Sequence, residues 1–396
     1  MREKLFYAGW LIDGTGIPAS RHALLNVRDG RLSALDTVQK SELSDAGIEY
    51  VDFSRCTILP GLVDCHAHLT MSGKTDRMLR EEQLEYSFEQ NAPIISNRLE
   101  KYLSCGVMAV RNAGDPGAHA LGYMKQGGCK PAGYPILRCA GRGWRAPGRY
   151  GKLVGDSPEP GSTLAEGIRR HSAEAHHIKI INSGLNSLTE FGKETPPQFE
   201  AKELQAAANL ARTRGQKIMV HANGKLPVRL SVEAGCDSIE HGFFMGEENL
   251  QLMADREVFW VPTAFTMKAL QTHLPPGTRE AEIAFRNLEH QLAQISRARH
   301  LGVPIALGTD AGGFGVRHGV SLVEEFQLIM RAGFTVEEAV CCATLNGARL
   351  LGLDHVLGRL RPGMPANFLV VEGPPSMIAE SLRRVKAVYI NGERMV

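Results

Sequence analysis

The sequence has almost no excess of either charge, and this absence argues against several classes of protein. Its 396 residues include 45 Lys and Arg against 43 Asp and Glu, which leaves a formal net charge of +2. A protein that binds nucleic acid or an anionic membrane surface usually carries a strong basic excess. We therefore expect a small-molecule substrate as the partner, with no nucleic acid and no membrane.

Long apolar runs are missing as well. No uninterrupted apolar stretch reaches about 20 residues, the length that a membrane-spanning helix needs. The first ten residues include an acid and lack the apolar core of a secretory signal peptide. The sequence therefore predicts a cytoplasmic protein.

Paired cysteines and several catalytic motifs are also absent. The eight cysteines are scattered and form no CxxC pair, which favours reduced thiols over disulfides or a zinc-thiolate site. The chain contains no GxxxxGK[ST], no GxGxxG after a predicted strand, no GxSxG and no HExxH. The nucleotide-binding, serine hydrolase and zinc peptidase classes that depend on these motifs are thereby disfavoured.

What the sequence does contain is an alternation of short apolar runs with helical stretches. Helices are predicted at 200–214, 321–332 and 336–351, where apolar residues recur at three- and four-residue spacing. Eight apolar runs are predicted as parallel strands: 58–65, 107–112, 135–140, 177–183, 217–223, 237–242, 258–264 and 303–310. Eight βα units predict an α/β fold with a (β/α)₈ TIM barrel, although an open doubly wound sheet shows a similar alternation.

The two ends of the chain differ from this middle part. Short strands separated by Gly-containing turns are predicted at 5–12, 22–28, 367–371 and 385–390. We predict that residues 1–57 and 359–396 together form a small β-sandwich domain. The barrel is then expected to span residues 58–358.

Side chains that can bind metal ions stand at the ends of several predicted strands. Residues two apart in a strand share a face, so His66 and His68 can bind one ion together. His221, His241 and Asp310 close the fifth, sixth and eighth runs. The carboxyl ends of strands are where (β/α)₈ enzymes build their active sites, so these five side chains predict a metal site.

Lys179 lies inside the apolar run 177–183. A lysine buried in a barrel must lose its charge or find a partner. Carbamylation by carbon dioxide would give it two oxygens, which can bridge two cations about 3.5–4 Å apart. The alternative is a lysine near the strand end that pairs with a carboxylate.

Several stretches of the chain resemble the amidohydrolase superfamily, specifically its imidazolonepropionase-related branch, which contains Xaa-Pro and Xaa-Arg dipeptidases. The stretches are Leu59 to His68, Ile178-Lys179, Val220 to Ala222, Ile239 to Gly242, Gly308 to Gly312 and Gly358 to Gly363. They span nearly the whole chain.

The resemblance implies a set of ligands for two divalent metal ions. His66, His68 and Asp310 would hold the more buried ion, His221 and His241 the more exposed one, and carbamylated Lys179 would bridge them. Zinc is the expected ion, since imidazole and carboxylate ligands suit it, while manganese, iron and cobalt tolerate the same ligands.

The implied reaction is hydrolysis of an amide or peptide-like C–N bond of a small substrate by a metal-bridging hydroxide. Asp310 would be the catalytic residue, acting first as base and then as acid. N-acyl amino acids and dipeptides are candidate substrates. Two alternatives stay open: a mononuclear cyclic-amide hydrolase of the imidazolonepropionase type, and a barrel without catalysis that serves as a scaffold. Gly224 stands where superfamily deaminases carry a glutamate, which disfavours deamination.

The loop after the third strand departs from the dipeptidase pattern, because it lacks the histidine of a Gly-Gly-His-Gly type sequence. It carries Arg145, Arg149 and Tyr150, which we predict to bind a substrate carboxylate through forked hydrogen bonds. The alternative is a solvated loop with a basic face. His318, just past Asp310, is a further candidate for substrate contact. The substrate and the oligomeric state stay open, a homo-oligomer included.

Overall fold

The computed structural model describes residues 3–128 and 135–396, so Cys129 lies outside the described residues. The strands are β1 (Glu3–Leu11), β2 (Ser20–Arg28), β3 (Arg31–Thr37), β4 (Val51–Pro60), β5 (Leu62–Ala67), β6 (Val107–Asn112), β7 (Ile136–Cys139), β8 (Gly143–Trp144), β9 (Gly155–Asp156), β10 (His177–Ile181), β11 (Lys217–Ala222), β12 (Ser238–His241), β13 (Phe259–Val261), β14 (Phe368–Glu372), β15 (Ala387–Ile390) and β16 (Glu393–Arg394).

The helices are α1 (Lys40–Asp45), α2 (Arg77–Glu82), α3 (Phe88–Ser104), α4 (His119–Lys125), α5 (Leu164–His171), α6 (Ala201–Thr213), α7 (Lys225–Ala234), α8 (Glu247–Asp255), α9 (Phe265–His273), α10 (Arg279–Leu301), α11 (Ser321–Arg331), α12 (Val336–Ala343), α13 (Leu345–Leu351) and α14 (Ile378–Ser381). Single 3₁₀ turns cover Gln83–Glu85, Pro375–Met377 and Leu382–Arg384.

The two ends of the chain share one sheet of seven strands, in the order β16-β15-β14-β4-β1-β2-β3. The rings of Phe6, Phe368 and Tyr389 pack against one another in its core. Leu32 of the edge strand β3 also forms backbone hydrogen bonds with residues 363 and 364, which lie just before β14 in the sequence. Strands from both ends of the chain therefore form one small β-unit, and its sandwich form stays a prediction. Strand β4 also continues past residue 57 to Pro60.

Two parallel sheets form the middle of the chain. One has the order β5-β6-β7 and the other the order β13-β12-β11-β10-β8-β9. The segment 303–311 lies between them and pairs with β13 and β5 through isolated bridges, so the predicted strand 303–310 is not a regular strand. Gly308 permits its close approach, since a Cβ there would lie 2.8 Å from the backbone nitrogen of His66.

The predicted helices are largely confirmed. Helices α6 and α11 match 200–214 and 321–332, and both end before a glycine with a left-handed backbone, Gly215 at φ +65° and Gly333 at φ +99°. The predicted helix 336–351 is instead two helices, because Thr344 breaks it at φ −131° and ψ −83°. Strands β8 and β9 were not predicted; they are only two residues long.

The remaining sequence predictions concern membranes and thiols. Within residues 3–128 and 135–396, none of the helices combines the length and the apolar character that crossing a membrane requires. Among the residues that the structure describes, no two cysteines form a disulfide with each other.

Candidate active site

Side chains at the carboxyl ends of the parallel strands form the floor of the candidate site. His66 lies in β5, Lys179 in β10, His221 in β11 and His241 at the end of β12. The backbone nitrogen of Asp310, in the bridging segment, donates to the carbonyl of His66 over 2.8 Å. Parallel register therefore gathers these side chains from distant parts of the sequence.

His66 is held by a buried hydrogen-bond network. Its Nδ1 donates to Glu240 Oε2 over 2.7 Å, and the other oxygen of Glu240 accepts from Arg111 Nη2 over 2.8 Å and from Ser238 Oγ. The Nε2 atom of His66 is buried and has no hydrogen-bond partner among the described residues. A histidine fixed at Nδ1 by a carboxylate presents an unprotonated Nε2, which is the form that binds a metal ion.

The other three histidines are fixed in the same manner, each through one ring nitrogen. His68 Nδ1 donates to the carbonyl of Gly114 over 3.0 Å, and His221 Nε2 donates to the carbonyl of Gly184 over 3.1 Å. His241 Nδ1 is 2.7 Å from the hydroxyl of Thr263. Each ring thus keeps one nitrogen free to bind an ion.

Burial lowers the pKa of three of these histidines, in each case as the largest effect. The pKa of His221 falls to about 4, and those of His66 and His241 fall well below their usual value. These rings are therefore neutral near pH 7, as metal ligands must be.

Asp310 lies beside this cluster. Its Oδ1 is 3.4 Å from His66 Nε2 and 3.3 Å from His68 Nε2. Burial raises the pKa of Asp310, but the neighbouring histidines together outweigh that effect and hold it well below its usual range. Asp310 and His241 also adopt left-handed backbone conformations, at φ +59° and φ +66°. Such strain in residues other than glycine is concentrated at functional sites.

Lys179 is 2 % exposed, and its Nζ atom has no hydrogen-bond partner among the described residues. Burial lowers its pKa to about 8, against the raising effect of Glu240 and Asp310. About a tenth of a lysine with such a pKa is neutral at pH 7. The predicted alternative, a direct ion pair with a carboxylate, is therefore absent from the described residues.

A cavity of about 280 Å³ opens above this cluster. His68, His221, His241 and Asp310 contribute to its lining. The wall is otherwise mostly apolar and comes from α9 and from the loops after the strands: Met71, Leu153, Val154, Leu185, Leu188, Phe243, Met267, Leu270, Phe314 and Val316. Concave sites of this character bind small molecules that have a large apolar part.

The structure places the predicted substrate residues in different surroundings. Tyr150 lines the cavity, and its ring centroid is 5.4 Å from that of His221. Arg145 and Arg149 do not line it: Arg145 Nη1 donates to the carbonyls of Ala146 and Arg149, and Arg149 Nη2 donates to the carbonyl of Pro196. Carbonyls of the loop and of Pro196 accept their hydrogen bonds, and the binding of substrate by these two arginines stays a prediction.

His318 is also placed away from the cavity. It is 6 % exposed, and its Nε2 lies 3.1 Å from the carbonyl of His68. Burial lowers the pKa of His318 to about 3. It therefore lies against the backbone of His68, and its contact with a substrate stays a prediction.

Sequence reasoning missed two charged residues of the site. Glu240, which orients His66, lies inside the quoted stretch Ile239 to Gly242, and a buried acid next to a strand-end histidine was the available signal. Arg80 of α2 lines the cavity, and its Nη1 donates to the carbonyl of Gly312 over 3.0 Å. No local pattern distinguishes Arg80 from other surface arginines, because its position depends on how the loop after β5 folds.

Known proteins are similar to this chain over nearly its full length. The family model described as Amidohydrolase family matches residues 57–395. Ochratoxinase from Aspergillus niger is 24% identical over 97% of this chain and 84% of its own length. Imidazolonepropionase from Geobacillus kaustophilus is 26% identical over 84% of this chain and 78% of its own.

A solved structure is also similar to this chain over nearly its full length. The crystal structure of a Xaa-Pro dipeptidase with bound methionine in the active site superposes with a TM-score of 0.83 and 26% identity, covering 99% of each chain. The family and the branch to which the motifs pointed are thereby confirmed.

Proposed function

Because the chain belongs to the amidohydrolase family, we propose that it is a binuclear metal-dependent hydrolase that cleaves an amide or peptide-like C–N bond of a small substrate. One observation carries the proposal. His68, His221, His241 and Asp310 line one cavity, and the buried His66 and Lys179 lie close enough to Asp310 to interact with its charge.

The donor atoms of this cluster fit two divalent ions, with zinc as the expected metal. His66, His68 and Asp310 would hold one ion, and His221 and His241 the other. The unpartnered Nε2 of His66 and Nζ of Lys179 are buried polar atoms that a bound ion and a carbamate would satisfy. Neutral Lys179 can add to carbon dioxide, forming an N–C bond and releasing one proton, and the resulting carbamate would bridge the two sites.

The mechanism assigns separate tasks to the residues of the cavity. Bound divalent ions supply Lewis-acid activation of water and of the substrate carbonyl. Asp310, ionised at neutral pH, accepts the proton of the attacking water and then donates it to the leaving nitrogen. Burial raises the pKa of Tyr150, which keeps its phenol protonated as a hydrogen-bond donor towards substrate.

The cavity wall supports a substrate with a large apolar part and an anionic group. Arg80 is the cationic side chain of the lining, and it faces the cavity among apolar residues such as Met71 and Leu153. A guanidinium in such surroundings favours a carboxylate through charge-assisted hydrogen bonds. N-acyl amino acids and dipeptides with an apolar side chain meet both requirements.

A mononuclear enzyme of the imidazolonepropionase type is the second candidate. The observation in its favour is that His66, His241 and Asp310 each offer a ligand atom, and these atoms lie within 4.8 Å of one another. His68 and His221 are not part of this compact group. A single ion would need no carbamate.

We also propose that the segment 303–311 closes the two parallel sheets into the predicted (β/α)₈ barrel. Its isolated bridges reach β13 on one side and β5 on the other. On the opposite side, the backbone nitrogen of His176 donates to the carbonyl of Cys139, which connects β7 to the start of β10. The division into a barrel of 58–358 and a β-domain from both ends belongs to this proposal.

The proposed function is tested by metal analysis and a substrate panel. We expect close to two divalent ions per chain, hydrolysis of apolar N-acyl amino acids or dipeptides, loss of activity with a chelator, and recovery when the metal is restored. Full activity with one ion per chain would favour the mononuclear candidate. Fully loaded protein that hydrolyses no member of the panel would favour the scaffold.

A further inference from the structure

A second cavity, of about 270 Å³, lies at the opposite ends of the strands that carry the candidate active site. Arg111, Arg138, His176, His177 and Lys217 contribute to its lining, and we call it the basic cavity. His177 and Lys217 are the first residues of β10 and β11 and lie side by side in the sheet, as do Arg111 and Arg138 on β6 and β7. No carboxylate is among the lining residues that the described chain contributes.

The basic side chains of this cavity differ in whether they have a hydrogen-bond or ion-pair partner. Arg111 is bonded to Glu240, and Lys217 Nζ donates to the carbonyls of Arg349 and Leu350 over 2.9 and 2.8 Å. The Arg138 side chain has no hydrogen bond or ion pair with the residues of the described ranges. Burial lowers its pKa, so this guanidinium has lost water without gaining a counter-charge.

Two histidines add hydrogen-bonding atoms next to this guanidinium. His177 is 4 % exposed, and its Nε2 atom is buried without a hydrogen-bond partner among the described residues. His176 Nδ1 accepts from the backbone nitrogen of Cys139 over 3.1 Å, so the ring proton is on Nε2 and can be donated. Buried polar atoms in native proteins are nearly always satisfied, which indicates that a ligand is bound here.

Asp237 does not neutralise the site. Burial lowers the pKa of Lys217 and the charge of Asp237 opposes that effect, but Asp237 Oδ2 accepts from the backbone nitrogen of Ile218 over 2.7 Å. It is outside the lining of the basic cavity. The cavity therefore presents a positive charge and several donors, and an anion with several acceptor oxygens complements it.

We propose that the basic cavity binds a small oxyanion, namely phosphate, either as the inorganic ion or as the phosphate group of a small ester. Arg138 binds two of its oxygens in a forked arrangement, and the ring nitrogens of His176 and His177 donate to the others. This site is separate from the candidate metal centre and does not depend on the proposed hydrolase activity.

The test measures phosphate binding to the metal-loaded protein by calorimetry. Arg138→Gln should weaken binding at the basic cavity at least about tenfold, since it removes the charge-assisted hydrogen bonds. Arg384→Gln, at an exposed arginine in the β-domain, is the matched control and should bind phosphate as the wild type does. Arg111 is unsuitable for the test because it also holds Glu240 against His66.

A second measurement locates the anion and does not depend on any variant. Selenate is a tetrahedral dianion whose anomalous scattering identifies its position in crystals of the wild-type protein. We expect a peak within hydrogen-bonding distance of Arg138, which also distinguishes this site from anions at the metal centre. Absence of that peak, or unchanged phosphate binding in folded R138Q, would overturn the proposal.

A comparison of two ligands shows whether the basic cavity binds the free phosphate ion or the phosphate group of an ester. Inorganic phosphate and a small monoester such as glycerol 3-phosphate are titrated into the same protein. Tighter binding of the ester, lost in R138Q, identifies an organic phosphate as the ligand, and equal or weaker binding identifies the free ion.

Discussion

The strand ends and the loop after the third strand differ in how their side chains are positioned. Predicted ligands such as His221 and His241 line the cavity, because strand register fixes the face on which each side chain lies. Arg145 and Arg149 are in the loop, where neighbouring carbonyls accept their hydrogen bonds and turn them away from the cavity. Position along a strand therefore predicts a site, while position along a loop does not.

The largest effect is expected at Lys179. Lys179→Ala should reduce the metal content below two ions per chain and lower kcat by at least about 10⁴-fold, because it removes the proposed bridging ligand. Lys202→Ala, on the exposed face of α6, is the control and should change neither. Metal analysis and steady-state kinetics measure both quantities, and unaltered metal content in folded K179A would contradict the bridging role.

Asp310→Asn tests whether the carboxylate of Asp310 transfers a proton, because asparagine has nearly the same shape. The variant should keep the fold and most of the metal but lose about 10²- to 10⁴-fold in kcat, since the amide cannot accept a proton. Steady-state kinetics and metal analysis of the same preparation measure the loss of kcat and the retained metal. If kcat stays near normal, another group is the base.

Glu240→Gln tests the network behind the strand-end histidines. Loss of the charge that orients His66 should weaken metal affinity about 10- to 100-fold without removing a ligand. The control is Glu248→Gln, since the Glu248 side chain is 93% exposed. Competition with a chelator of known affinity measures the effect, and equal affinities in both variants would show that the network is dispensable.

Replacing Arg80 and Arg149 in turn sharpens the comparison between cavity and loop. Arg80→Met should raise KM for a carboxylate-bearing substrate roughly ten- to a hundredfold and change KM for its neutral amide far less. Arg149→Met should leave both nearly unchanged, because this side chain is bonded to Pro196. The opposite result would restore the original prediction for the loop.

A change in stability rather than in activity is expected at Glu325, whose carboxyl group accepts from the backbone nitrogens of Ala264 and Phe265 at the start of the cavity wall. Burial raises the pKa of Glu325 from 4.5 to about 8. The folded state therefore binds more protons than the unfolded state between these values, and the stability that this group contributes at low pH is lost as pH rises. Relative to Glu325→Gln, the wild type should lose about 1.4 kcal/mol per pH unit in this window. Denaturant unfolding at pH 5 and pH 8 measures the difference, and parallel curves would contradict it.

Much of the fold could be predicted because local patterns agree with it. The strand-end motifs identified the family, and their alternation placed His66, His221 and His241 at the carboxyl ends of parallel strands. The prediction of one helix over 336–351 was wrong at Thr344, where the helix ends. The spacing of apolar residues does not change at such a break and so could not predict it. Strands from both chain ends lie in one sheet, and local patterns do not specify its strand order because that pairing is long-range.

The sequence by itself determined the fold class and the set of residues that can bind metal, because strand periodicity and residue chemistry are local properties. Only the tertiary structure decided which charges face which cavity. Arg80 faces the active-site cavity and Arg138 the basic cavity, while Arg149 faces neither. The direction of a long side chain depends on the carbonyls, acids and apolar surfaces that other segments bring beside it, and these are set by packing rather than by the residue's own neighbours in the chain.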